Sequence, residues 1–118
     1  MGLISTISPI TPVQLGWIAG FFEGEAYFRT QVLQGESIRI TQKQQEPLER
    51  LHKILGGNLR KRKTGYYEWD VASARAAAIM MTVYSLMSPR RKEQIRTALL
   101  SWIKRPLPKR KDRGRGSY

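Results

Sequence analysis

Three glycines, Gly16, Gly20 and Gly24, recur at every fourth position of the run from Leu15 to Phe28. Residues four apart share one face of a helix, so a helix here carries a stripe with no side chains. Ala19 is read as widening it. Each glycine in a helix interior costs about 1 kcal/mol relative to alanine. A stripe of them is compensated where a second backbone approaches closely, as in small-residue helix seams. Glu23 and Glu25 stand at the carboxyl end of the same helix, where the macrodipole is already negative. Two copies meeting along the stripe would bring those ends together. Such a knot of carboxylates and helix-terminal carbonyls repels itself unless cations enter it, and oxygen ligands of this kind suit Mg²⁺ or Ca²⁺.

A chain of 118 residues has room for one core. The stripe occurs once, so the partner it needs is most simply a second copy. A net charge of +12 implies a polyanionic partner, with nucleic acid ahead of an anionic membrane surface. No apolar run approaches the ~18 residues of a spanning helix, and Met1 to Thr11 has neither the basic start nor the long apolar stretch of a signal peptide. Without cysteine there is neither a disulfide framework nor a thiolate metal site. A reducing intracellular compartment is the expectation; organelle, bacterial and phage-host settings are not distinguished.

Thr11-Pro12 reads as an N-cap followed by proline at the first helical position, with the helix running to about Gly24. From Glu25 the period changes to 2. Ala26, Phe28, Thr30 and Val32 share one side; Tyr27, Arg29, Gln31 and Leu33 share the other. The Gln34-Gly35-Glu36 turn leads to a strand in which Ile38 and Ile40 alternate with Arg39, Thr41 and Lys43. Pro47 opens a second helix with a Leu48, Leu51, Ile54, Leu55 stripe, and Gly56-Gly57 ends it. His52, the only histidine, lies on its flank and is given no chemical role. A second hairpin spans Asn58–Lys63 and Tyr66–Val71 around Thr64-Gly65. Ser73 is expected to cap a third helix reaching about Met87, and Ser88-Pro89 to start a fourth with Ile95, Ala98, Leu99 and Trp102 inward. The order helix, hairpin, helix, hairpin, helix, helix predicts an α+β domain: a four-stranded antiparallel sheet with helices on one face. The domain is expected over residues 1–103. Residues 104–118 hold seven basic residues against one acid, half the net charge, with prolines and glycines that oppose folding, and read as a flexible basic tail that follows phosphates.

The nonapeptide Ile18-Ala19-Gly20-Phe21-Phe22-Glu23-Gly24-Glu25-Ala26 resembles the signature of the LAGLIDADG homing endonucleases, and the order of elements over roughly residues 12–103 is similar to that family's domain. The resemblance implies a single-motif, homodimeric, homing-endonuclease-like fold. Glu25 matches the acidic eighth position that holds the catalytic metal, with the Gly24 carbonyl beside it. Ala26 departs from the usual glycine at the ninth. Gly16, Ala19, Gly20 and Glu23 would lie at the dimer interface. Gln42 resembles the polar strand-end residue that orients the attacking water. Arg91, or Lys92 next to it, fits the basic residue that supports the transition-state charge. An arginine stays charged, so its role would be electrostatic.

The exposed face of the sheet is expected to bear Arg29, Gln31, Leu33, Arg39, Thr41, Lys43, Arg60, Arg62, Tyr66 and Glu68. The major groove admits a β-ribbon, and Arg, Gln and Glu can pair with base edges there. The resemblance therefore implies a site-specific double-stranded DNA endonuclease. It would be Mg-dependent with Ca or Mn as substitutes, act on a long pseudo-palindromic target, leave 3′ overhangs, and be of the intron- or intein-homing kind. A non-cleaving module on the same fold, an intron RNA maturase or a DNA-binding regulator, is the alternative. The basic tail leans toward RNA, and the retained acid at Glu25 leans toward cleavage. A basic structural protein such as a ribosomal component would suit the composition but leave the glycine stripe unexplained.

Overall fold

A computed structural model describes residues 9–30 and 36–104. Helix α1, Pro12–Glu25, opens with a reciprocal capping box: Gln14 N–H donates to the Thr11 hydroxyl at 3.1 Å and Thr11 N–H to the Gln14 carbonyl oxygen at 2.9 Å. At its other end Ala26 adopts φ −78°, ψ 145° and its N–H returns to the Phe22 carbonyl. That extended conformation is open to any residue, so alanine is accommodated where the signature has glycine, and its methyl is buried.

Strand β1, Tyr27–Arg29, pairs antiparallel with β2, Ser37–Gln42; residues 31–35 between them lie outside the described segments. Helix α2, Glu46–Leu55, ends at Gly56 and Gly57, both at positive φ, followed by β3, Asn58–Lys61, and β4, Tyr67–Ala72. At Gly57 a Cβ would lie 2.6 Å from Val71 Cγ1 and 2.9 Å from the Asp70 carbonyl oxygen, so this glycine serves both turn and packing. Strand β4 pairs with both β2 and β3, giving the order β1-β2-β4-β3 with every neighbour antiparallel.

Helix α3, Ser73–Val83, differs from the sequence expectation at both ends. Ser73 is not its cap: it is the first helical residue, at φ +55°, and Ala72 occupies the cap position without a side-chain bond. Strand β4 runs into α3 with no loop, and Ser73 N–H is drawn to the Glu36 carbonyl at 2.8 Å, which holds the strained turn. The helix stops at Val83 in a 3₁₀ turn, Tyr84–Leu86, instead of reaching Met87. Helix α4, Pro89–Lys104, starts where expected, with Arg91 N–H on the Ser88 hydroxyl.

The core lies between one sheet face and the helices. Ile18 and Phe22 of α1, Phe28, Ile38, Ile40, Trp69 and Val71 of the sheet, Leu48 and Leu51 of α2, Met80 and Val83 of α3, and Ile95 and Ala98 of α4 are buried together. Phe22 packs between Phe28 and Trp69, with centroids 6.2 and 6.1 Å away. Trp69 Nε1 donates to the Gly56 carbonyl at 2.8 Å, which satisfies the one polar atom of that ring. Leu99 and Trp102 are half-buried at the rim. With helices on one face only, the opposite sheet face and one side of α1 are left to solvent.

Candidate nucleic-acid interface and carboxylate site

The glycines of α1 face outward. Gly16, Gly20 and Gly24 are exposed, and a Cβ built on any of them meets nothing within 4 Å. Val13, 78 % exposed, continues the same side. Two residues named with the stripe lie elsewhere. Successive helical residues are turned by about 100°, and this carries Ala19 into the core beside Ile18 and Phe22. Glu23 turns toward α4: Ser88 N–H donates to its Oε1 at 2.8 Å, and Arg91 Nε donates to its carbonyl at 2.9 Å. The negative end of α1 thus abuts the positive end of α4, which relieves the unfavourable placement of Glu23. Ser88, through its hydroxyl and then its backbone N–H, holds the Glu23 carboxyl below its ordinary value.

Glu25 is exposed at the last turn of α1, and Gln42, at the end of β2, donates Nε2 to its Oε1 at 2.8 Å. The second carboxylate oxygen is not used in that bond. Arg91, only 7 % exposed, also donates to Gln94 Oε1 at 2.8 Å and stacks over Phe28 at 5.6 Å. Burial and the neighbouring Arg90 lower its pKa, while Glu23 and Glu25 raise it; a guanidinium starting this high stays charged. Lys92 points elsewhere, with Nζ 5.6 Å from the Tyr84 ring. Of the two basic candidates, Arg91 is the one at the carboxylate end of α1.

No group of three His, Cys, Asp or Glu side chains suited to a metal occurs among the described residues. One chain offers the Glu25 carboxylate and, in the same helical turn, the Gly24 carbonyl. Hard oxygen donors of this kind fit Mg²⁺, which keeps several waters and takes one or two carboxylates together with substrate phosphate oxygens.

The uncovered sheet face is basic. Arg29 and Tyr27 lie on β1 with the guanidinium 5.5 Å from the ring centroid; Arg39 and Thr41 lie on β2, and Arg60 on β3 with Arg62 just beyond it. Lys43 and Tyr66 are exposed beyond the ends of β2 and before β4. Gln31, Leu33 and residues 105–118 fall outside the described segments. Glu68 is placed differently from what its alternation with the arginines suggested. It is 5 % exposed, in the central strand β4, with Arg60 Nη1 2.9 Å from Oε2, Arg39 Nε 3.5 Å from Oε2 and Arg62 Nη1 3.5 Å from Oε1. Arg60 Nη1 also lies 3.0 Å from Asp70 Oδ2, and Asn58 donates to Asp70 Oδ1. Tyr27, 60 % exposed, and the Asn58–Asp70 pair lie on the same face, although the sequence singled out neither as a contact. The period-2 alternation, which sets Tyr27 beside Arg29 and Asp70 beside Glu68, is the sequence signal for both.

Solved structures share this fold. A homing endonuclease, I-CvuI, in complex with its target in the presence of Ca, superposes with a TM-score of 0.66 at 22 % identity, over 75 % of this chain and 64 % of that one. The archaeal intron-encoded homing endonuclease I-Vdi141I, complexed with DNA, matches at 0.57 and 19 % identity, over 75 % of this chain and 67 % of that one. The homing endonuclease I-TnaI matches at 0.56 and 19 %, over 75 % and 71 %. The fold is that of the LAGLIDADG homing endonucleases. No protein-family model matches the sequence, and no curated protein does. The chain spans about two thirds of the length of the LAGLIDADG structures it matches. Helix α1 carries the stretch that resembles the family's signature, and the basic sheet face is the one opposite the core. No helix among the described residues is long and apolar enough to cross a membrane.

Proposed function

We propose that two copies of this chain form a site-specific, divalent-metal-dependent endonuclease for double-stranded DNA. The observation that carries the reading is the open glycine stripe of α1, which ends at the exposed Glu25 next to a basic, uncovered sheet. Pairing of two α1 helices along Gly16 and Gly20 would fill the space beside the stripe. A twofold axis there brings two Glu25 residues close together and sets two sheets along one duplex, so the target is long and roughly palindromic. I-CvuI and I-Vdi141I were solved on DNA, which supports the polyanion as duplex DNA.

Glu25 and the Gly24 carbonyl would hold a divalent cation, with Mg²⁺ as the working ion and Ca²⁺ or Mn²⁺ as substitutes. When bound, the cation supplies charge stabilisation for phosphodiester hydrolysis and a more acidic water. Gln42 holds Glu25 in place through Nε2 and keeps its own carbonyl oxygen to accept a hydrogen bond from an attacking water and so orient it. Arg91 contributes positive charge from a position fixed by Glu23 and Gln94. The arginines of the sheet read bases or grip phosphates, and the basic residues from Lys104 onward add sequence-independent affinity. The 3′ overhangs, the intron-homing role and the single domain with a basic tail all belong to this reading.

The test is to incubate the protein with a random-sequence duplex library and Mg²⁺ and sequence the ends, with Glu25→Gln as control. Discrete cuts lost in the variant are expected. Enrichment of bound sequences without cuts would refute cleavage and leave a DNA-binding regulator. Neither cuts nor enrichment would remove DNA and leave intron RNA as the polyanion.

A further inference from the structure

The ionic lattice on the open sheet face is centred on the carboxylate of Glu68, with Asp70 sharing Arg60. Strand β4 is the inner strand between β2 and β3, and the register sets Glu68 directly opposite Thr41 on one side and Arg60 on the other. Asp70 is opposite Arg39 and Asn58. The acids therefore form a central line with guanidiniums on either side. The three arginines at Glu68 keep side-chain exposures of 41, 44 and 51 %, while the Glu68 side chain retains 6 %. The carboxylate lies beneath them, too deep to reach a base edge.

We infer that Glu68 is a positioning residue: it does not read DNA but fixes Arg39, Arg60 and Arg62 in one arrangement before DNA arrives, and so sets sequence discrimination. This rests on the proposal that the sheet face binds duplex DNA. An arginine reads guanine by two parallel bonds to O6 and N7, and each such contact depends on where the planar fork sits. Long side chains that must be ordered on binding lose affinity for the right sequence, whereas phosphate attraction needs no fixed geometry. Arg39 Nε makes no hydrogen bond among the described atoms and is held by charge alone at 3.5 Å. Nε itself is buried, but the side chain keeps 41 % exposure, so its stem stays placed while its outer nitrogens face the groove side.

Replacing Glu68 by glutamine removes one negative charge under three positive ones and keeps the shape. Affinity for arbitrary duplex should then stay level or rise and its salt dependence steepen. Discrimination should fall. A variant that is merely less well folded would lose both.

The experiment selects bound duplexes from a random library in Ca²⁺ with the parent protein and with Glu68→Gln, then measures dissociation constants for the selected and a scrambled duplex at one salt concentration. Expected is a loss of about tenfold or more in the ratio of the two, with unchanged or tighter scrambled-duplex binding. A ratio within about twofold of the parent, at the uncertainty of a few tenths of a kcal/mol usual for such differences, overturns the inference. If the parent selects no sequence, the proposal of a DNA-reading face fails first. A second measurement needs no variant: side-chain ¹⁵N relaxation of the free parent protein should show the Nε–H vectors of Arg39, Arg60 and Arg62 ordered and that of exposed Arg90 mobile. Equal mobility overturns the inference whether or not Glu68→Gln folds.

Discussion

Adding two methyl groups to the glycine stripe should act on folding and on association with opposite sign. In Gly16→Ala/Gly20→Ala, each new Cβ meets nothing within 4 Å in the isolated chain. The only intramolecular effect is the helix preference, about 0.5–1 kcal/mol per site in favour of alanine. The pair should stabilise the protomer by about 1–2 kcal/mol. For 118 residues the unfolding entropy is of order 0.25 kcal/mol/K, so Tm should rise roughly 4–8 °C. At a seam between two α1 helices, the same methyls meet their symmetry copies. Overpacking of that kind costs about 1–3 kcal/mol per crowded group, which raises the dimer dissociation constant by on the order of 10²-fold or more. Sedimentation equilibrium measures the second effect. Thermal melts over a wide range of protein concentration measure the first, because the Tm of a dimer depends on concentration and that of a monomer does not. The parent's Tm should climb with concentration, and the variant's should be flat and higher than the parent's dilute limit. A variant that self-associates as tightly as the parent refutes the seam. One that is less stable as a monomer refutes the open stripe.

Gly57→Ala should go the other way, losing about 3 kcal/mol or more in urea unfolding, since φ is +92° and Val71 and the Asp70 carbonyl occupy the space; a loss under 1 kcal/mol would mean that the β4 approach is looser than described. Glu23, whose carboxyl Ser88 holds below its ordinary 4.5, adds stability that is complete above that value and is lost as the pH falls through the lower folded one. Glu23→Gln should flatten the stability–pH slope below 4.5, and an unaltered slope would count against the Ser88 contact. Arg91→Lys keeps the charge but loses the fork that binds the Glu23 carbonyl and Gln94. It should cost about 1–3 kcal/mol of stability by calorimetry, and no loss would show that the α1–α4 junction does not depend on Arg91.

What the sequence alone determined was local and periodic. The capping box at Thr11, the glycine spacing, the switch from period 3.6 to period 2 after Glu25 and the glycines after Leu55 are each written within a few residues, because backbone conformation responds to its nearest neighbours. The element order, the α+β class and the basic character of the outer sheet face followed from them. Three matters needed the folded chain. Ala19 and Gly20 are adjacent in sequence, yet only packing against Phe22 and the sheet decided which of them faces the core. Glu23 and Glu25 are alike as residues, and the start of α4, 65 positions away along the chain, ties down one and leaves the other to Gln42. Arg91 and Lys92 were separated the same way, by which of them α4 turns toward α1. The strand order made the largest difference. By bringing β4 between β2 and β3 it set Glu68 under three arginines, a consequence of hydrogen-bonded pairing between distant segments that no local periodicity records.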